Sequence, residues 1–400
     1  MRRVRLKEIG TFYSGLSGKS KSDFSEGNAL LVTYRNIFNN PVLNPAINDT
    51  VVVGEDEKQN EVLWGDILIT GSSETPADAG MSSVVLFNPH EKMYLNSFCF
   101  GFRLNDMNEV LPSYIGHLLR STFIRAAISK TAFGVTRFNV NRMRFADIEI
   151  PLPPLNIQKE IVSILDSFTS LIDKMKQEVE MRKKQMEYYI DRFYGGDFDG
   201  MMRLADIPGN SVVHFSDLGP IIRGKRFVRD DIRTEGQPCI HYGDMYTYYG
   251  TKAATAKTFL ERDFPKKMRY AHKGDVVIVG AGENDYDIGV GLVWMGEEPA
   301  AVHDSCYILK HHQIPMYISY YLRSNIYHQQ LKKYVSSGKI SSFSAEGLGK
   351  VYIPIQSEDK QRQIASILDT FETYISKLEK MIELRQKQYE YYREKLLTFE

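Results

Sequence analysis

Three cysteines in 400 residues, Cys99, Cys239 and Cys306, share neither a pairing pattern nor a metal-ligand spacing. That scarcity argues against a disulfide framework and a zinc site, and it suits a reducing cytoplasm. No apolar run approaches the length of a membrane span. The opening residues, Met1-Arg2-Arg3-Val4-Arg5-Leu6-Lys7, lack the apolar stretch of a signal peptide. A cytoplasmic chain with no membrane partner is therefore expected. An excess of one charge is missing too, since 50 Lys and Arg balance 50 Asp and Glu. Any attraction to a polyanion must then come from how charge is segregated, not from its total. The remaining composition, 43% hydrophobic and 25% charged, is that of a globular chain too long for one core.

Catalytic motifs are also lacking. Val277-Ile278-Val279-Gly280-Ala281-Gly282 opens like a dinucleotide loop, but Asp285 stands at its third glycine position. Gly18-Lys19-Ser20 resembles the end of a phosphate loop, but Tyr13 occupies the place of the first glycine. Leu152-Pro153-Pro154-Leu155 is not the Asn-Pro-Pro-aromatic signature of an amino methyltransferase. No Ser/His/Asp order or His-rich metal spacing is present. Asp66, Glu74 and Asp78, echoed by Asp275, Glu283 and Asp287, are the best residual carboxylates. They read as turn caps, or as acceptors from cytosine amino groups, before they read as acid/base pairs.

What is present is an internal repeat. Shifted by 203 positions, Ile150-Pro151, Gln158, Ser163-Ile164-Leu165-Asp166 and Phe168 fall on Ile353-Pro354, Gln361, Ser366-Ile367-Leu368-Asp369 and Phe371. Lys184-Gln185 and Glu187-Tyr188-Tyr189 fall on Lys387-Gln388 and Glu390-Tyr391-Tyr392, and roughly two in five positions across this stretch are identical without a gap. The same shift places Pro112, Tyr114 and Leu119-Arg120-Ser121 on Pro315, Tyr317 and Leu322-Arg323-Ser324. Nearer the start of each half a shift of 209 is better, with Gly65-Asp66-Ile67-Leu68-Ile69 on Gly274-Asp275-Val276-Val277-Ile278. The order is globule, helix, globule, helix.

Ile161, Leu165, Phe168, Ile172, Met175 and Val179, then Met186, Tyr189 and Phe193, step by four and three, the spacing of a coiled-coil seam. Ile364, Leu368, Phe371, Ile375, Leu378 and Ile382, then Tyr389, Tyr392 and Leu396, repeat it. Asn156 and Asp359 are N-cap residue types, and Gly195-Gly196 supplies a stop. Two helices of about 55 Å each, paired antiparallel with a globule at each end, are predicted. One polar residue interrupts each seam, Arg182 and Arg385. Each either snorkels to solvent or meets a carboxylate on the other helix. Lys184, Gln185 and Tyr188, with Lys387, Gln388 and Tyr391, recur off the seam and suggest a protein-binding face rather than plain solvated helix.

Each globule shows strand-like runs such as Leu30–Tyr34 and Val51–Gly54, then an amphipathic helix, 112–130 or 315–334. A mixed α/β or α+β unit of about 150 residues follows. Charge is segregated within it. No acidic residue lies between Val110 and Ala146, whereas Arg120, Arg125, Lys130, Arg137, Arg142 and Arg144 do. The second half places Lys310, Arg323, Lys332, Lys333 and Lys339 between Ser305 and Ala345. Two basic surfaces are expected, the footprint of phosphate binding. Candidate DNA contacts are Lys19 and Lys21 in one loop and Arg223, Lys225 and Arg226 in its counterpart. Tyr34 and Arg35, at the end of one strand-like run, and Tyr242 in the second half are further candidates. Base-edge candidates are Arg137, Asn139, Asn141 and Arg142, and in the second half Lys339, Ser341 and Ser342. A plain solvated loop is the competing reading for each single residue.

The run Ile150–Leu155 through Phe168, then Arg182–Tyr189, resembles the first conserved region of type I restriction–modification specificity (S) subunits, and Arg385–Phe399 resembles the second. The resemblance covers the chain in layout, with its specific motifs in the helices. One departure is Gln356-Ser357-Glu358 where the first copy has Pro153-Pro154-Leu155. It implies an α+β chain with two similar α/β target recognition domains, 1–152 and 198–355, separated by two long antiparallel coiled-coil helices at 153–197 and 356–400. It further implies a bipartite double-stranded DNA target and two docked methyltransferase (M) subunits, which a motor-nuclease (R) subunit can join. The chain itself would have no active site and no cofactor, S-adenosylmethionine residing on the methyltransferase. The alternatives are a self-sufficient enzyme, which needs the absent motifs, and a coiled-coil scaffold that binds only protein, which leaves the basic segments unexplained. A stiff spacer fixes the distance between half-sites. Deleting one heptad from a long helix is expected to change the unread gap in the methylated motif, as mapping of methylated adenines would show; an unaltered gap would remove the ruler.

Overall fold

The computed structural model describes all residues except Met1, Ser25, 265–266, 283–287, Ser337, Lys339 and Glu400. The long helices form where the heptad pattern predicts them, Leu155–Phe193 and Glu358–Thr398. Ile161, Leu165, Ile172, Met175 and Val179 are buried, as are Ile364, Leu368, Ile375 and Leu378. Both helices begin at aligned residues, despite Pro-Pro in one copy and Gln-Ser in the other. Asn156 and Asp359 therefore sit inside the first turn rather than capping it. The first helix ends at Gly195 and Gly196, with φ of +112° and +83°. A Cβ on Gly195 would stand 2.3 Å from the Met201 nitrogen, so only glycine lets the chain reverse there.

The chain divides into two compact units that cut across the expected boundaries: residues 1–176 with 380–400, and residues 177–379. Each unit therefore contains the end of one long helix and the beginning of the other. In the first unit, Arg2–Arg5 pairs antiparallel with Glu149–Leu152, Val4 opposite Ile150. A four-stranded antiparallel sheet follows the order Gly10–Ser14, Cys99–Leu104, Ile67–Thr70, Ser82–Val84. A smaller sheet joins Thr50–Val51, Ala29–Val32 and Met93–Leu95, the last pair parallel. The core over the main sheet takes Ile161, Leu165 and Ile172 from the first long helix, and Tyr389 and Leu397 from the second. Phe168 stacks on Tyr392 with ring centroids 5.4 Å apart. The start of one helix thus lies along the end of the other.

The second unit repeats this plan. Ser211–His214 pairs with Tyr352–Ile355. A five-stranded sheet orders Ile221–Arg223, Cys306–Leu309, Val276–Val279, Gly291–Trp294 and Lys252–Ala253. Its core takes Ile190 from the first long helix and Tyr194 from the turn just after it, with Ile364 and Leu368 from the second. Here Tyr189 lies 5.6 Å from Phe371, and Lys183 pairs with Glu379 at 2.9 Å. The helices run antiparallel in both units.

Positions identical in the repeat prove to be polar anchors. Gln158 is fully buried; its Oε1 accepts from Leu111 N at 2.9 Å and its Nε2 donates to the carbonyls of Glu109 and Pro153. Gln361 accepts from Ile314 N at 3.2 Å and donates to Gln313 Oε1 and the Gln356 carbonyl. Tyr114 donates to Pro151 O, and Tyr317 to Pro354 O. Each expected amphipathic helix is in fact two: Pro112–Leu119 with Thr122–Ser129, and Pro315–Tyr321 with Asn325–Leu331. Glu394 accepts from Thr122 N at 2.9 Å, and Asp191 accepts from Asn325 N at 2.8 Å. A carboxylate from a long helix thus satisfies a free amide at the start of each second segment.

Substituting Gln158→Ala would strand a buried amide and two carbonyls. The expected cost is about 2 kcal/mol, read as a lower midpoint in urea unfolding; an unchanged midpoint would deny the anchor.

Candidate nucleic-acid interface

In the first unit residues 132–140 fold as a hairpin, Ala132–Phe133 with Phe138–Val140, whose second strand also pairs with Ser72–Ser73. Arg137 donates from Nε to Ser72 Oγ at 2.9 Å, and its guanidinium lies 5.0 Å from the Phe98 ring. Arg142 donates to Ser14 Oγ at 2.8 Å and lies 5.0 Å from the Phe100 ring. Asn139 is exposed on the strand between them, and exposed Phe98, Phe133, Val135 and Met143 belong to the same segments. Arginine, asparagine and uncovered apolar groups thus share one region. Asn141 has a local task, capping the helix Arg142–Ala146 by accepting from Arg144 N at 3.1 Å.

The other candidates of this unit are dispersed. Lys19 is nearly buried and paired with Glu57, whose carboxyl it pulls down to about 2, with help from Gln59 and Gly54 N. A phosphate would have to displace that carboxylate. Lys21 is exposed on a short 3-10 turn. Tyr34 opens the helix Tyr34–Asn39 and stacks on Phe38 at 5.7 Å, and Arg35 beside it is exposed.

In the second unit Arg223 donates to the Asp304 carbonyl at 2.7 Å, and Lys225 and Arg226 follow it exposed. Tyr242, Phe227, His241 and His303 form an aromatic cluster, with the two histidine rings 4.8 Å apart. Sequence reading found Tyr242 but neither histidine, since each meets the other only through the fold. Ser341 and Ser342 form a strand paired with Gly282 and Ala281, Ser341 buried and Ser342 partly so. Lys339 lies outside the described residues, as do Glu283, Asp285 and Asp287.

The basic segments are less basic at the surface than their composition suggests. Arg120 turns inward, donating to the carbonyls of Ser82 and Ile37, and burial pushes its guanidinium down to about 10. Arg125 grips the carbonyls of Ala77, Ala79 and Gly80. Arg323 is likewise half-buried and bonds Gly291 O, while Lys310 pairs with Asp275. The exposed remainder is Lys130, Arg137, Arg142 and Arg144 in one unit, and Lys332 and Lys333 in the other. Asp66 cannot receive a cytosine amino group. It is fully buried, accepting from Leu63 N, Tyr13 Oη and both ends of Arg103. Asp275 accepts from the equivalent His272 N, so both are turn caps.

The helix faces also take definite form. Arg182 bonds Glu178 and Gln185 on its own helix, each at 2.7 Å, and lies 5.7 Å from the Tyr374 ring. Arg385 bonds Gln388 at 2.7 Å, again within its helix. Neither forms an ion pair with the other helix among the described residues. Lys184 is exposed, and Lys387 pairs with Glu383 on its own surface. Tyr188 and Tyr391 are each 61% exposed, each with a neighbouring tyrosine packed edge-on. Identical exposure at repeat-related positions makes these the most symmetric uncovered aromatics of the chain.

His303 donates from Nε2 to Phe227 O and accepts at Nδ1 from Ser305 N, both at 3.1 Å, which a neutral ring satisfies. Burial above all pulls its pKa below 6.5, aided by His241 and Arg226 and opposed by Asp304. The unfolded chain therefore takes up the proton first, so this stability is present above about pH 6.5 and falls as pH drops below it. Thermal melts between pH 7.5 and 5.5 are expected to show that fall, and His303→Asn should lessen it, with His241, His311 and His328, also pulled down by burial, supplying the rest; equal slopes would assign the fall elsewhere.

The family profile described as "Type I restriction modification DNA specificity domain" matches residues 1–181 and again 209–386. A putative type I restriction enzyme specificity subunit of Haemophilus influenzae is 30% identical over 291 residues, 66% of this chain and 68% of that protein. A type I restriction enzyme specificity subunit of Escherichia coli is 28% identical over 277 residues, 63% of each chain. Among solved structures, the type I restriction–modification S subunit from M. genitalium aligns over 100% of this chain and 96% of its own, with a TM-score of 0.53 at 15% identity. A chain from a structural study of complex assembly and conformational transition in a type I system aligns over 99% and 97%, with a TM-score of 0.60 at 16% identity. At such identities the structural likeness concerns the fold.

Proposed function

The chain belongs to the type I restriction–modification DNA specificity family, and on that premise we propose that each unit reads one half of a split duplex target for methyltransferase subunits docked on the long helices. One observation carries this reading: the anchors recur position for position in the two units, while the exposed loops do not. Gln158 and Gln361, Tyr114 and Tyr317, Glu394 and Asp191 hold equivalent places. Arg137, by contrast, aligns with Ile340, and Ser72 with Ala281. One scaffold carrying two different readers suits an asymmetric bipartite sequence. The repeated faces around Tyr188 and Tyr391 suit two copies of one partner, because equivalent surfaces receive equivalent chains.

In this reading the chain supplies position, not chemistry. The methyltransferase brings S-adenosylmethionine and modifies adenine, a motor-nuclease subunit can join, and the assembly works in the cytoplasm. A scaffold that binds only protein would have no use for the Arg137–Asn139–Arg142 face.

Two measurements test the proposal. Mapping of adenine methylation in the native host is expected to show a split motif that vanishes when this gene is removed; a motif set unaffected by removal would sink the assignment. Replacing Tyr188 and Tyr391 together by alanine is expected to weaken assembly with the methyltransferase at least about tenfold, read by sedimentation of the mixed subunits. Undiminished assembly would move the docking face elsewhere.

A further inference from the structure

Arg137 and Arg142 are each held by a serine hydroxyl and an aromatic ring, but Arg142 spends a terminal nitrogen on its bond and Arg137 spends Nε. The Nε of Arg137 is bonded to Ser72 Oγ, and its Cζ lies over the Phe98 ring, 5.0 Å from the centroid. Ser72 is itself 3% exposed, in a strand paired to the one carrying Phe138 and Asn139, so the support is part of the scaffold. Among the described residues the terminal nitrogens Nη1 and Nη2 have no partner, and Arg137 forms no ion pair. Held at Nε and over the Phe98 ring, the fork has lost much of the rotamer freedom that a surface arginine must otherwise give up on binding.

What remains is a planar edge of two parallel donors. In the major groove guanine presents two acceptors, N7 and O6, to such an edge; the other bases do not. A phosphate accepts a fork too, but it needs no fixed plane and gains little from the ring contact and the Ser72 bond. We infer that Arg137 reads one guanine of the half-site bound by the first unit, with Ser72 and Phe98 as positioning residues. This rests on the proposal that the first unit binds duplex DNA. At the aligned positions of the second unit stand Ile340 and Ala281, so this pairing of arginine and serine is not repeated there. The guanine read by Arg137 therefore lies in the half-site of the first unit.

The test uses the full chain assembled with its methyltransferase subunits, and duplexes of the mapped motif in which each guanine in turn is 7-deazaguanine, which keeps pairing but lacks N7. Binding of the intact complex is expected to weaken about tenfold at a single guanine of one half-site. Arg137→Ala should bind the unmodified duplex about tenfold more weakly and lose the 7-deaza effect at that guanine alone, while assembling normally. Ser72→Ala should shrink the same effect part of the way, which a merely structural loss would not do selectively. A half-site without a sensitive guanine, or a sensitivity that survives in Arg137→Ala, would overturn the inference and leave the DNA reading intact. So would a uniform weakening on target and non-target duplexes, the mark of a phosphate contact. A wild-type complex with no preference for the mapped motif would overturn the DNA reading itself.

Discussion

Neither unit can close its core with its own repeat. The first needs Tyr389 and Leu397, which arrive at the end of the second long helix, and the second needs Ile190 and Tyr194 from the end of the first and the turn just after it. Leu397 and Tyr194 are completely buried, and each such side chain is worth roughly 2 kcal/mol of transfer from water. Polar contacts fix the register that the apolar ones leave loose. Glu394 and Asp191 each reach one backbone amide, at Thr122 and Asn325, and a carboxylate displaced by one helical turn would miss it. The exchange of helix ends is therefore specified by direction-dependent bonds as well as by area.

That constraint explains which parts of the chain had to stay alike. Gln158 and Gln361 use both ends of the amide on backbone groups at the junction of globule and helix. A residue that donates and accepts in fixed directions tolerates little substitution. The hairpin 132–140 answers to fewer demands: it must pair with Ser72–Ser73 and keep glycine at 134, where φ is +134° and a Cβ would stand 2.0 Å from Arg137 O, but Val135 and Thr136 at its tip are exposed. Reading and holding are thus assigned to different residues, and the reading residues can change without loosening the fold.

The helices were legible in the sequence because a four-three spacing of apolar residues has one good physical solution, and Gly195-Gly196 announced its end. The break inside 112–130 was not, because the carboxylate at Glu394 that meets the second segment is 272 positions from Thr122. The inward turn of Arg120 and Arg125 was hidden for a related reason. An acid-free stretch reports how many cations there are and nothing of where they point, and both arginines found carbonyl oxygens instead of solvent. Gln158 was visible as an identity in the repeat, but its role lies in backbone groups at Leu111 and Glu109, 47 and 49 positions away. Of the candidate DNA contacts, Arg137 and Arg142 lie over Phe98 and Phe100, two positions apart in one segment. Lys19 is already paired, and Asn141 is spent on a cap.

A chain with 50 charges of each sign has little of the long-range field that pulls most DNA-binding proteins onto any duplex. With Arg120, Arg125 and Arg323 turned inward and Lys19 and Lys310 paired, the phosphate-seeking surface is smaller still. In the proposed reading this shifts the balance of free energy towards contacts made with base edges, because the sequence-independent term scales with the number of phosphates neutralised. Pre-oriented groups then matter more than numerous ones. A guanidinium fixed by Ser72 and Phe98 gives up less entropy on binding than several mobile lysines would, and it can tell one base from another. Weak general attraction and rigid local readers belong together in a subunit whose task is to discriminate.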